Sequence, residues 1–220
     1  MLDNVELLER EWMKNPFPEH WIRYLPKSRR SARKRRLFAC ACCRYVRDKL
    51  TEEVSHRSIE AAEQFADGKI DLTELAAVRK THRQECKRNG LFEIRNKPKT
   101  GCGEFFLARE STAHPKGLQE SRVVRAAISL AGERSFVAPL AYDIFGNPYR
   151  LQTPDPTWLT PNVRHLAEII YEDRQFDAMP ILGDALEEAG CENETILSHC
   201  REYPTHARGC WVVDLLLNKN

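Results

Sequence analysis

Residues 28–50, SRRSARKRRLFACACCRYVRDKL, contain neither glycine nor proline and read as one long helix. Its front half is basic. Its centre, LFACACC at 37–43, is apolar on every side, the pattern of a helix threaded through a core rather than laid on a surface. Around it the chain repeats helical spacing. Leu7, Leu8 and Trp12 share one face of a first helix that ends before Pro16 and Pro18. Val54, Ile59, Ala62 and Phe65 mark a helix over 52–66 closed by Gly68, and Asp71 caps a further one running to Arg88, stopped by Asn89-Gly90.

From 89 to 119 the period fails. The stretch is broken by glycines and prolines, and thirty-odd residues without a helical repeat read as a linker or functional loop, with a short hairpin using Phe92, Ile94, Phe105 and Phe106 as the one regular alternative. Helical spacing then returns. Val123, Val124, Ala127, Ile128 and Ala131 form one stripe, and Phe136, Leu140 and Ile144 another, ended by Gly146-Asn147-Pro148. Thr160-Pro161 is an N-cap followed by proline at the first helical position, with Val163, Leu166, Ile170 and Tyr171 inward. Ile181, Leu182, Ala185, Leu186 and Ala189 repeat the device with Gly190 as stop, and short helices follow at 196–200 and 211–217. The expected fold is an all-α, multi-helical globular bundle with a long irregular central loop. Its organisation is an N-terminal helical region over 1–88 with a buried Cys-rich helix, a linker or loop over 89–118, and a C-terminal helical region over 119–220.

Composition narrows the class. Apolar residues make up 42% and charged residues 30% of 220, which excludes collagen-like and wholly disordered chains. No apolar run approaches the ~18 residues of a membrane span, so no membrane is expected. The opening MLDNVELLEREW has acids where a secretory signal carries a basic head, and eight cysteines suit a reducing compartment. The expected location is cytoplasmic.

Three stretches, RRLFACACCR at 35–44, DIFGNPYR at 143–150, and ILGDALEEAGC…ILSHCR…HARGCWVVDLLL within 181–217, occur in this order. Together they resemble a large paralogous family associated with planctomycete bacteria. The likeness covers about two-thirds of the chain, leaves 68–118 unmatched, and implies no activity, since the family has no assigned function.

Net charge is +2, but it is unevenly spread. Lys27, Arg29, Arg30, Arg33, Lys34, Arg35 and Arg36 form a run without an acid, while 168–202 carries ten acids against two arginines. On a helix the run makes a stripe suited to sequence-independent phosphate contact. The preferred reading is that it meets acids, above all those of 168–202, within the chain or on a partner. No aromatic interleaves it, so base stacking is not indicated.

Two cysteine sets have metal-ligand spacing. Cys40 and Cys43, three apart, and His82 and Cys86, four apart, each lie on one side of a helix and together suit one tetrahedral zinc. Cys191, Cys200, His206 and Cys210 have the residue types of a Cys₃His site, with His199 nearby, but no compact knuckle. For both sets plain packing is the preferred reading, because cysteine is among the most buried residue types; a structural zinc is the sole cofactor the spacing allows for. Cys210, His206 and Asp214 also have the types of a nucleophilic set, but WVVDLLL reads as core rather than as an open cleft. The expected function is a non-enzymatic cytoplasmic interaction or adaptor module with an unidentified protein partner. The alternatives are a nucleic-acid-associated protein using 27–36 and a cysteine- or metal-dependent enzyme.

Overall fold

A computed structural model describes residues 4–13, 22, 25, 31–88, 120–149 and 152–219. Ten α-helices and no strand occur among these residues. They are α1 (Asn4–Met13), α2 (Ala32–Tyr45), α3 (Glu53–Ala66), α4 (Leu72–Arg88), α5 (Glu120–Ala131), α6 (Val137–Phe145), α7 (Pro161–Glu172), α8 (Met179–Glu188), α9 (Glu194–Glu202) and α10 (Trp211–Leu216). The chain is all-α. The expected linker over 89–118 and the hairpin within it lie outside the described residues.

Local chemistry sets the helix starts. Ser31 Oγ accepts the Lys34 N–H at 3.2 Å and caps α2. At α4 the Asp71 and Glu74 carboxylates each accept the other's backbone N–H, at 2.8 and 2.9 Å, a reciprocal capping box. Thr160 caps α7 ahead of Pro161, and Asn193 caps α9. The helix expected over 28–50 is shorter than its pattern. After Tyr45 the chain tightens into a single turn, Arg47–Lys49, where Lys49 Nζ donates to the carbonyls of Leu130 and Ala131 at the end of α5.

The described helices bury two apolar clusters. The first gathers α1, α2, α3, α5 and α6 around Trp12, Phe38, Cys40, Cys43, Ile59, Val124, Val137 and Ile144. Helices from both sides of 89–118 therefore share it. The second gathers α7 to α10 around Val163, Ile170, Met179, Leu186, Ile196 and Val213. Every residue from Leu37 to Cys43 is buried, as the all-round apolar centre of α2 requires.

Two stripes turn out differently. On α1 Trp12 goes inward, its indole N–H donating to Gly146 O at 3.1 Å, while Leu7 and Leu8 stay exposed. On α8 Ile181 is exposed, because it lies about 200° round the helix from Met179, the inward residue of the first turn.

Candidate functional site

The described part of the basic run is built into the fold. Arg33 spreads its guanidinium over Asp214 (2.7 and 2.9 Å), Asp67 Oδ1 (3.1 Å) and the Tyr171 hydroxyl (2.5 Å). Arg208 donates to Asp67 Oδ2 at 2.7 Å, to Tyr171 O and to Glu172, with its guanidinium 4.2 Å above the Tyr171 ring. Lys34 Nζ lies 2.5 Å from Asp214 and also donates to Ile144 O (2.9 Å) and Gly209 O (2.8 Å). Arg35 pairs with Glu120, and Arg36 is buried with its guanidinium over Phe65. Burial opposes the charge of Arg33, but hydrogen bonding to Asp214 and the charges of Asp214, Tyr171 and Asp67 outweigh it and raise its pKa. Lys27, Arg29 and Arg30 lie outside the described residues.

Arg33, Lys34 and Arg35 therefore pair with Asp67, Glu120 and Asp214 rather than with the acids of 168–202. The reason is placement. Asp67, Glu120 and Asp214 flank α2, whereas all ten acids of 168–202 lie on the outward faces of α7 to α9 and their connections.

Cys40 and Cys43 are wholly buried in the first cluster, with the Cys40 thiol 3.9 Å from Ile59 O. Burial pushes both thiols well above the ordinary range. His82, expected on a helix surface, is buried. The Cys86 side chain lies outside the described residues, and with it the four-residue set as a whole.

The second set is brought together only in part, and with two other residues. Asp143, in the last turns of α6, His199 on α9, His206 in the α9–α10 connection and Cys210 at the cap of α10 each turn one ligand atom inward, and these atoms all lie within 4.8 Å of one another. His199 Nε2 is 3.2 Å from Asp143 Oδ1 and 3.3 Å from Cys210 Sγ. His206 Nδ1 is 2.8 Å from the same Asp143 oxygen and 3.9 Å from Cys210 Sγ. The other Asp143 oxygen accepts the Ala207 N–H at 2.8 Å, which fixes the carboxylate plane. Asp143 and Cys210 are wholly buried, and the His199 and His206 side chains are 8% and 6% exposed. His199 is held between the Tyr203 ring, stacked at 4.8 Å, and Trp211, at 5.1 Å.

Electrostatics follow from this burial. Burial alone would raise the Asp143 carboxyl, but hydrogen bonds from His199 and His206 and their charges hold it below the usual range. Burial lowers His199 despite Asp143 beside it. Burial, reinforced by the Asp143 charge, keeps Cys210 well above the ordinary thiol value. A nucleophilic cysteine needs an open, electropositive setting, and Cys210 has neither. The acid beside His206 and Cys210 is Asp143; Asp214, which the local sequence suggests for a nucleophilic set, is engaged by Arg33 and Lys34.

Cys191 and Cys200 remain outside the cluster, buried in the second apolar core, where burial pushes the Cys200 thiol up to about 12. Sequence reasoning missed Asp143. Its signal was present: it is the sole charged residue in VAPLAYDIF, and a buried carboxylate demands partners.

Backbone details seat these residues. Gly209 has φ of 95°, and a Cβ there would lie 2.8 Å from Leu37 Cδ1, so the chain between Arg208 and Cys210 runs against α2. Comparison of the chain with protein-family models, with curated proteins and with solved structures finds no match. Among the described residues, no helix is long and apolar enough to cross a membrane.

Proposed function

We propose that this protein is a non-enzymatic interaction module of the cytoplasm, an adaptor or regulatory partner, that meets a basic protein through the acidic face of α7 to α9. One observation carries this reading. All ten acids of 168–202 are exposed, while Arg33, Lys34, Arg35 and Arg36 are turned into the fold. Of the ten, Glu172, Asp184 and Glu187 pair with Lys69, Arg208 or Arg201; Glu168, Asp173, Asp177, Glu188, Glu192, Glu194 and Glu202 have no ion pair among the described residues. A face of one sign steers and orients a partner of the other. The cytoplasmic placement is supported by cysteine usage: eight in the chain, of which Cys40, Cys43, Cys191 and Cys200 are buried thiols packed in the apolar cores. Burial of Cys210 and its raised pKa weigh against the cysteine-enzyme alternative. Nucleic-acid association by the basic run is left to Lys27, Arg29 and Arg30.

Capture on the immobilised chain from its native cell extract, with and without nuclease, tests this. A protein should be retained after nuclease, released as salt rises, and lost from the variant Glu188→Gln/Glu192→Gln/Glu194→Gln/Glu202→Gln. Retention that vanishes with nuclease and survives the four glutamines would replace this reading with the nucleic-acid one.

A further inference from the structure

We propose that Asp143, His199, His206 and Cys210 form a structural zinc site that joins the two apolar cores. The proposal goes beyond the interaction reading and does not depend on it.

The donor set comes first. Two imidazole nitrogens, one carboxylate oxygen and one sulfur are the ligand types zinc accepts, and four of them suit its tetrahedral preference. The spacing agrees. A tetrahedral zinc with bonds near 2.0–2.2 Å to nitrogen and oxygen and near 2.3 Å to sulfur separates its ligand atoms by about 3.4–3.6 Å. The two nitrogen–sulfur separations here, 3.3 and 3.9 Å, bracket that range, while the two nitrogen–oxygen separations, 3.2 and 2.8 Å, are shorter than it and would open on binding.

Charge closes the argument. The buried Asp143 carboxylate meets His199, His206, the Cys210 thiol and the Ala207 N–H, with no lysine or arginine hydrogen-bonded to it among the described residues. A carboxylate, a thiolate and two neutral imidazoles carry two negative charges, which a divalent cation cancels. On binding, the Cys210 thiol releases its proton to solvent and the sulfur donates its electron pair to the metal. No electron changes hands.

Part of an outer shell is in place, while the buried His206 Nε2 has no hydrogen-bond partner among the described residues. Ala207 N–H orients the Asp143 carboxylate, and Tyr203 and Trp211 hold the His199 ring. Lys34 Nζ grips the carbonyls of Ile144 and Gly209, the neighbours of Asp143 and Cys210, so one side chain fixes both ligand-bearing segments. Asp143 and Cys210 are wholly buried and the His199 and His206 side chains are 8% and 6% exposed, the setting of a closed structural site rather than a catalytic one with an open position. Because α6 belongs to the first cluster and α9 and α10 to the second, the metal would cross-link the two.

The test uses the full chain and zinc itself. After dialysis against metal-free buffer, elemental analysis should find one zinc per chain, and chelator-stripped protein should rebind one. Cys210→Ser and His206→Ala should each weaken zinc binding by more than about 100-fold. Cys200→Ala, a buried thiol outside the set, should leave affinity unchanged. Cobalt in place of zinc should give a tetrahedral absorption spectrum with a sulfur-to-cobalt charge-transfer band, and this measurement on the unmutated chain decides the matter even where a variant does not fold. Folded, stripped protein that takes up neither zinc nor cobalt would overturn the site, as would a cobalt spectrum without the sulfur band. Affinity that follows Cys200 instead of Cys210 would do the same.

Discussion

Two buried polar groupings meet in the segment 206–214, and they balance their charges differently. In the first, the cations Arg33, Lys34 and Arg208 face the carboxylates Asp67, Asp214 and Glu172, and side chains alone neutralise one another. In the second, Asp143 is surrounded by His199, His206 and Cys210, a set with an excess of negative charge once its thiol ionises. Buried charge tolerates no deficit, so the first grouping is complete as built, whereas the second has the composition of a place for an ion. The difference teaches that burial of polar groups does not by itself indicate chemistry; what matters is whether fixed partners account for the charge.

Acid should act most strongly on the first grouping, because it reaches several carboxylates together. Burial would raise Asp67, but hydrogen bonds from Tyr171 and Arg208 and the charges of Arg208 and Arg33 hold it below its ordinary 3.8, and Glu172 is lowered as well. A carboxyl depressed in the folded state stabilises fully above its unfolded value and loses that contribution as pH falls through the lower folded one. The melting temperature should therefore drop between about pH 4 and pH 2. In Asp67→Asn the drop should be shallower, and an identical slope would remove this grouping as its origin.

Next in size is Asp214→Asn, which strands Arg33 and Lys34 beside a neutral amide. Removing one partner of a buried pair costs about 3–5 kcal/mol. A loss near zero in urea unfolding would show that the grouping is solvated and the contrast with the histidine cluster is unfounded.

Gly209→Ala sits between the two groupings and tests whether they are coupled. Its positive φ and the approach to Leu37 predict a loss of about 1–3 kcal/mol. Zinc affinity should fall with it, since Cys210 is the next residue. A destabilised variant with unchanged zinc affinity would show that the groupings are independent.

The smallest effect belongs to the thiols outside both. Cys40→Ala leaves a small void beside Ile59 and should cost about 1 kcal/mol, measured by thermal melt. Cys40→Ser should cost more, because a hydroxyl is buried in its place. A much larger loss from Cys40→Ala would point to a ligand role after all.

Much of the fold was legible in the sequence for local reasons. LFACACC offers no polar face to solvent, so α2 had to be central; Thr160-Pro161 and the Asp71 cap declare their helix starts within three residues. Leu7, Leu8 and Ile181 misled because spacing gives a helix its stripe but not what lies against it. The candidate site was legible in half. His206 and Cys210 stood out by residue type and proximity, but Asp143 is 63 residues from His206 and 56 from His199, and the tertiary approach of α6 to the 199–210 segment joins them. Within the basic run Arg33, Lys34 and Arg35 meet acids, but isolated ones rather than the densest acidic segment. Local charge density records what faces water, and the inward partners are isolated acids such as Asp67 and Asp214, set in otherwise apolar or turn sequence.

The pairing of Arg33 with Asp214 spans 181 positions. A ribosome adding about 5–20 residues per second completes that interval in roughly 10–40 s. Throughout it, α2 has emerged with an arginine and a lysine whose shared counter-charge has not yet been made. During synthesis Arg33 and Lys34 therefore stand without Asp214, and this part of the buried charge network closes only once the C-terminal helix has been made.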